Sequence, residues 1–361
     1  MKVIVCGGGV VGVAIAYFLS RRGAETVVVE SSGIANAASG KSGGFLALDW
    51  CDGGPLSALA RRSFALHAEL GPEVPGSGYR RLDTYGGFGG GIGRTRRPDG
   101  WTSEAVTLDR RLGTTDTTAQ IDPAGFTRGL MGLAEDHGAS VRQGRVTGLL
   151  RDGDRATGVL VGAAPVEADA VVIAMGPWSI LAAAWLPLPA VYGLKGHSIV
   201  YRTGDAVPPE ALFLEVDERG GGTASPEVFP RSDGTTYVCA ISSDSPLPVD
   251  PAAVAPDAGA IDRLAAIAAG ISPILAESPV IAAQACFRPV TADGLPLIGA
   301  VPGVGGAYVA AGHSVWGMLN APATGEAMAG LILDGVSPEV DLAPFDPARL
   351  PRFDAARLST G

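Results

Sequence analysis

The sequence predicts an α/β fold in which one domain, assembled from discontinuous segments, carries a smaller α+β domain built on an antiparallel or mixed sheet. Three observations support this. The first thirty residues pass from an apolar run through a glycine cluster into a helical period and back to an apolar run. Similar strand-and-glycine-turn signals recur far from that start, at 167–179 and 306–335. The first domain is therefore expected from 1–50, 120–190 and 286–361, and the stretches left over, 51–119 and 191–285, read as two insertions that form the second domain over the ligand.

The start is the clearest element. "KVIVCGGGVVGVAIAYFLSRRGAETVVVE" reads as a strand over residues 2 to 6, a glycine turn, a helix to about Arg22, a stop at Gly23 and a strand ending at Glu30. Gly7, Gly9 and Gly12 form G-x-G-x-x-G, where the first permits the tight turn, the second admits a pyrophosphate and the third lets helix pack on strand. The helix N-terminus adds free N–H groups and a positive dipole end. Glu30 lies 18 residues after Gly12 at a strand end, placed to accept both ribose hydroxyls. The unit is a Rossmann-like site for an adenine dinucleotide, and the motif alone leaves NAD and FAD open. "ASGKSGG" (38–44) imitates a phosphate loop, but that motif needs glycine at 35, where this chain has Ala35.

Further along, 119–150 reads as helix, glycine break and strand ending near Val146, 167–179 as a buried strand and turn, and 306–335 as strand, glycine-rich turn and long helix. A dinucleotide fold divided in this way favours FAD, since nicotinamide enzymes keep theirs in one block. Within "ACFRPVTADGLPLIG" (285–299), Arg288 sits in an apolar stretch, and a guanidinium there needs an anion to face.

Composition narrows the function classes. With 361 residues, 47% hydrophobic and 18% charged, the chain is long and apolar enough for two cores. A net charge of −10 argues against nucleic acid, which needs a basic surface, and Arg94, Arg96 and Arg97 read as a solvated loop. Cys6, Cys51, Cys239 and Cys286 show no metal or disulfide spacing, which fits a reducing cytoplasm. The glycines of the opening run, and Pro177, Pro187 and Pro189 in the uncharged stretch Ala170–Leu194, argue against membrane spans, so the chain reads as soluble. Only three lysines occur, which singles out Lys41 and Lys195.

These motifs resemble the FAD-dependent D-amino-acid oxidase, glycine oxidase and sarcosine oxidase superfamily over nearly the whole chain. The likeness is carried by "GGGVVGVAIAYFLSRRG" with Glu30, "AASGKSGGFLALDW", "DAVVIAMGPWS", "PEVFPRSDGTTYVC", "RPVTADGLPLIG" and "GHSVWGMLNAPATGEAMAGLI". It implies that FAD meets Gly7, Gly9, Val10, Gly12 and Glu30, with the adenine beside Val146. It also implies that Ser39, Gly40, Lys41, Ser42, Gly43 and Gly44 run past the diphosphate, and that Ala174, Gly176 and Trp178 line the cofactor. Gly312, His313, Gly317, Met318 and Leu319 would meet the flavin's pyrimidine edge, where a helix starting near Leu319 to Pro322 points its positive end.

The implied reaction is oxidation of a carbon–nitrogen bond in an amino acid or secondary amine to an imine, with O2 reoxidising the flavin to give hydrogen peroxide. The resemblance gives Arg288 as the carboxylate clamp, with a structural salt bridge as its alternative, and His313 as a cofactor-loop or catalytic group; Lys195 reads either as a cation near the flavin that aids oxygen reduction or as an ordinary ion-pair partner. Phe45, Trp50 and Trp316 are candidate pocket walls. Cys286 lies near where sarcosine oxidases attach flavin, yet its flanking "FRP" differs, and noncovalent FAD is expected. Glycine oxidases tend to carry a second arginine where this chain has Val315, which points to a larger or more apolar substrate. A NAD(P)-dependent dehydrogenase and a flavoprotein with a structural or assembly role are the alternatives.

Overall fold

The computed structural model describes residues 1–89, 100–218 and 221–358; Arg94, Arg96 and Arg97 lie outside the described residues. The first strand, Lys2–Cys6, is buried along Val3–Cys6 because helices cover one face and a three-stranded sheet, Val146–Asp152, Arg155–Val161 and Ala164–Glu167, covers the other, the two-sided burial its unbroken apolar run requires. It pairs in parallel with Glu25–Glu30 on one side and Ala170–Ile173 on the other. Ser140–Gln143 extends the sheet at one edge, and Ala307–Ala311 followed by antiparallel Leu297–Ala300 completes the other, giving six strands. Residues distant in sequence thus form one sheet.

The helix Val10–Arg21 packs against Pro123–Asp136 and against the C-terminal helix Gly317–Asp334. Close approach of the first and last helices depends on Gly325, where a Cβ would stand 2.6 Å from the backbone carbonyl carbon of Ala14. The last helix begins at Gly317, earlier than the sequence indicates, so Pro322 falls inside it. Proline cannot donate to the carbonyl of Met318 four residues back. The helix Ser57–Leu70 repairs this break: His67 Nε2 lies 2.9 Å from Met318 O and 3.2 Å from Leu319 O, and Ser63 Oγ accepts from Ala323 N–H at 3.1 Å.

The second layer is a mixed sheet of eight strands. Val280–Val290, Tyr192–Arg202, Thr235–Ser243, Glu227–Pro230 and Glu210–Asp217 run in antiparallel order, Asp83–Gly89 joins the last of these in parallel, and Val106–Gly113 closes the row. Thr223–Ala224 pairs off this path. Its back face packs on the helix Ala260–Ile271 through Ile199, Val238, Leu264 and Ile267. The front face looks towards the first layer.

Two expected boundaries do not follow these sheets. Residue 286 falls inside the strand Val280–Val290, which belongs wholly to the mixed sheet. The helix Ser57–Leu70, expected in the second domain, shares a core with the first and last helices through Leu59, Phe64 and Leu70. Among the described residues, no helix is long and apolar enough to cross a membrane.

Candidate active site

A cavity of about 410 Å³ opens at the C-terminal ends of the parallel strands and reaches the front face of the mixed sheet. Ligands settle at such strand ends because the turns there present free backbone groups. Gly7 adopts φ +114°, and a Cβ on it would stand 2.4 Å from the Ala174 carbonyl oxygen, so the turn tolerates only glycine. Gly12 packs behind this turn, where a Cβ would meet Gly7 O at 2.1 Å. It shapes the turn without lining the cavity. Gly9 and Val10 do line it, and Ser39 Oγ accepts the Val10 N–H at 2.9 Å. Glu30 lines the same end; its carboxylate accepts Gly8 N–H at 2.7 Å and Ser32 N–H at 2.7 Å.

The segment Ser42–Gly44 crosses between the layers. Gln120 Nε2 donates to Gly43 O at 2.6 Å, Arg231 donates to Ser42 O at 2.9 Å, and the Phe229 ring occupies the space a Gly43 Cβ would need. Ser42 Oγ lines the cavity and is buried with no hydrogen-bond partner among the described residues. Gly40 and Lys41 support this segment from outside the lining; Lys41 O accepts Gln284 Nε2 at 3.3 Å. Val146, Ala174, Gly176 and Trp178 line the far end, with Trp178 Nε1 donating to Pro248 O at 2.7 Å. His313, Gly317 and Met318 line the near end, whereas Gly312 and Leu319 stand behind them. A long cavity with a glycine cradle at one end, a helix N-terminus at the other and an orphaned hydroxyl between them fits FAD.

On the mixed-sheet side, the alternation of side chains decides what reaches the cavity. Cys286 and Arg288 share the front face, and the Arg288 guanidinium lies over Gly196, where a Cβ would come within 3.3 Å of it. Arg288 donates to Ser242 Oγ at 2.9 Å and has no carboxylate partner within ion-pair distance among the described residues. Lys195, next to Gly196, necessarily points to the other face. This corrects its expected role: it is buried, pairs with Asp257 at 2.5 Å, and does not line the cavity. Asp257 also accepts Ser243 and Ser245 hydroxyls, and with Lys195 these hold its carboxyl well below the usual range.

His313 Nε2 stands 3.1 Å from Thr324 Oγ1, whose own proton goes to Asn320 O at 2.8 Å. The imidazole is therefore the donor, Nε2 carries its hydrogen, and burial holds its pKa down to about 4. Such a ring orients a neighbour and carries no positive charge at neutral pH. Burial raises the Cys286 thiol, which argues against a reactive thiolate. Phe45, Trp50, Phe213 and Phe229 form an aromatic wall, with Phe45 stacked on Phe229 at 5.3 Å, and Trp316 and Val315 complete the lining.

One group escaped the sequence reading. Glu227 lines the cavity beside Arg288, accepting Cys239 Sγ–H at 3.4 Å, and burial raises its pKa. The signal was present in "EVFP": alternation places Glu227 on the same face as Phe229, an aromatic of the pocket wall.

Comparison with known proteins agrees with this geometry. An oxidoreductase of Schizosaccharomyces pombe is 31% identical over 379 residues, covering 96% of this chain and 97% of that protein. A glycine oxidase of Pseudomonas aeruginosa is 28% identical, covering 96% and 98%. The crystal structure of glycine oxidase from Bacillus cereus superposes with a TM-score of 0.80 at 22% identity, covering 92% of this chain and 95% of that one, a likeness of fold. The DAO family, described as FAD dependent oxidoreductase, matches residues 2–331, and the chain belongs to this family of FAD-dependent enzymes.

Proposed function

We propose that the enzyme oxidises the carbon–nitrogen bond of a carboxylated amine, an amino acid or secondary amine, to an imine. The observation that carries this reading is Arg288: a guanidinium on the cavity floor, positioned by Ser242 and free of any carboxylate partner among the described residues. Its remaining N–H groups offer a planar fork to a substrate carboxylate. When bound, FAD supplies the two-electron acceptor for a C–H bond next to nitrogen. The aromatic wall excludes water from that bond. The N-terminus of Gly317–Asp334 presents its positive end to negative charge developing in the cavity. His313 holds its proton on Thr324 and acts in positioning.

O2 is the proposed acceptor, giving hydrogen peroxide, on the likeness to a glycine oxidase. Val315 and Trp316 in the lining favour a substrate larger than glycine. Four free cysteines fit a cytoplasmic setting. The test is anaerobic mixing of the holoenzyme with amines differing in size, hand and carboxylation. Bleaching of the yellow flavin by carboxylated amines is expected; bleaching by none of the panel would remove the proposal.

A further inference from the structure

Oxidation of an amine requires the nitrogen's lone pair, yet an amino acid in water carries that nitrogen as an ammonium. An amine with a pKa near about 9.5, between the α-amino and lysine values, is neutral in roughly one molecule in 300 at pH 7. The cavity contains a group suited to the missing step. Glu227 projects from the front face beside Phe229, and its Oε2 takes the Cys239 thiol hydrogen at 3.4 Å. No described residue bonds Oε1, and no described residue forms an ion pair with the carboxylate. Arg288 is close enough to lower its pKa, although the two are not paired. An unpaired cation and an unpaired carboxyl on one wall match the two ends of an amino-acid zwitterion.

The groups facing Glu227 narrow the alternatives. Cys239 and Tyr237 come from the neighbouring strand and Cys286 from Val280–Val290, and burial keeps all three protonated. Arg288 remains charged, and the buried His313, which also lines the cavity, is neutral. Phe213, on the strand beyond, does not titrate. Glu227 is thus the carboxylate on this wall placed to exchange a proton with a bound amine.

We propose that Glu227 binds the substrate's ammonium and accepts its proton, while Arg288 holds the carboxylate. An N–H bond breaks, its electron pair stays on nitrogen, and the proton goes to the Glu227 carboxylate. The enzyme thereby uses the abundant zwitterion. This inference rests on the amine-oxidation reading, and the experiment separates the two.

The experiment measures anaerobic flavin bleaching of holoenzyme and Glu227→Gln between pH 6 and 10, with whichever of glycine, sarcosine and L-proline reduces the wild type fastest. The wild-type second-order rate should stay nearly level from pH 7 to 9. Without the acceptor, the variant must wait for free amine. Its rate should be roughly 300-fold lower at pH 7, climb about tenfold per pH unit, and approach the wild type between about pH 9.5 and 10. An equal loss at every pH would mark Glu227 as structural, and an unchanged profile would mark it as idle; either overturns the inference alone. If none of the three bleaches the wild type, the carboxylated amine of the wider panel that bleaches it fastest takes their place; if none of that panel does, the functional reading fails and this inference with it. Should Glu227→Gln lose its flavin spectrum, Glu227→Asp decides: a level profile supports proton acceptance by a carboxylate, and a tenfold climb refutes it.

Discussion

Replacing His67 with leucine tests how the helix at the cavity is held together. Pro322 leaves Met318 O without its helical donor, and His67 Nε2 supplies one at 2.9 Å from a fully buried position. Leucine has a similar volume, so the main loss is this hydrogen bond, with a carbonyl left buried and unpaired. The expected destabilisation at pH 7.5 is about 1–3 kcal/mol. A second consequence follows from the ring's titration. Burial holds its pKa at about 4 against an ordinary 6.5, so the unfolded chain binds the extra proton between these values. The stabilisation from a neutral ring is complete above pH 6.5 and fades as pH falls towards 4, by about 3 kcal/mol at 1.4 kcal/mol per unit. His67→Leu lacks this loss. Urea unfolding with excess FAD at pH 7.5, 6 and 4.5 should show the gap between wild type and variant shrinking as pH falls. A gap that is constant with pH, or absent at pH 7.5, would refute the reasoning.

Gly9→Val should yield a folded but colourless protein. Gly9 has φ −77°, which valine tolerates, but a Cβ already meets Ser39 Oγ at 3.1 Å and the added methyls enter the cavity. Retained yellow colour would show that the glycine turn is not the diphosphate path. Acid precipitation should release flavin into the supernatant, as the raised Cys286 thiol implies noncovalent binding. Colour that stays with the pellet but is lost in Cys286→Ser would identify a thioether.

Much of the first layer was legible because its signals are local. The glycine turn, its strands and Glu30 follow from hydrophobic period and spacing within thirty residues. Arg288 was legible because a charge in an apolar strand is an anomaly in itself. Lys195 was misjudged because its sheet has two covered faces, and only the register with Thr235–Ser243 and Val280–Val290 shows which one it faces. Glu227 resembled turn polarity beside Pro226 and Pro230, although its alternation with Phe229 marked the cavity face. The earlier helix start could not be read from Pro322, because its repair by His67 and Ser63 is tertiary. The same holds for Ser57–Leu70, which packs on elements some 250 residues away in sequence.

The most direct test of the central claim compares wild type with Arg288→Leu in anaerobic flavin bleaching, using matched amines with and without a carboxylate. Arg288 should be the carboxylate anchor, so the variant keeps its flavin spectrum and loses about 2–4 kcal/mol, or 30- to 1,000-fold, in the second-order rate for carboxylated amines. Arg288→Lys should recover only part, since an ammonium lacks the planar fork. Faster bleaching by amines lacking a carboxylate, at a rate unaltered by Arg288→Leu, would contradict the account.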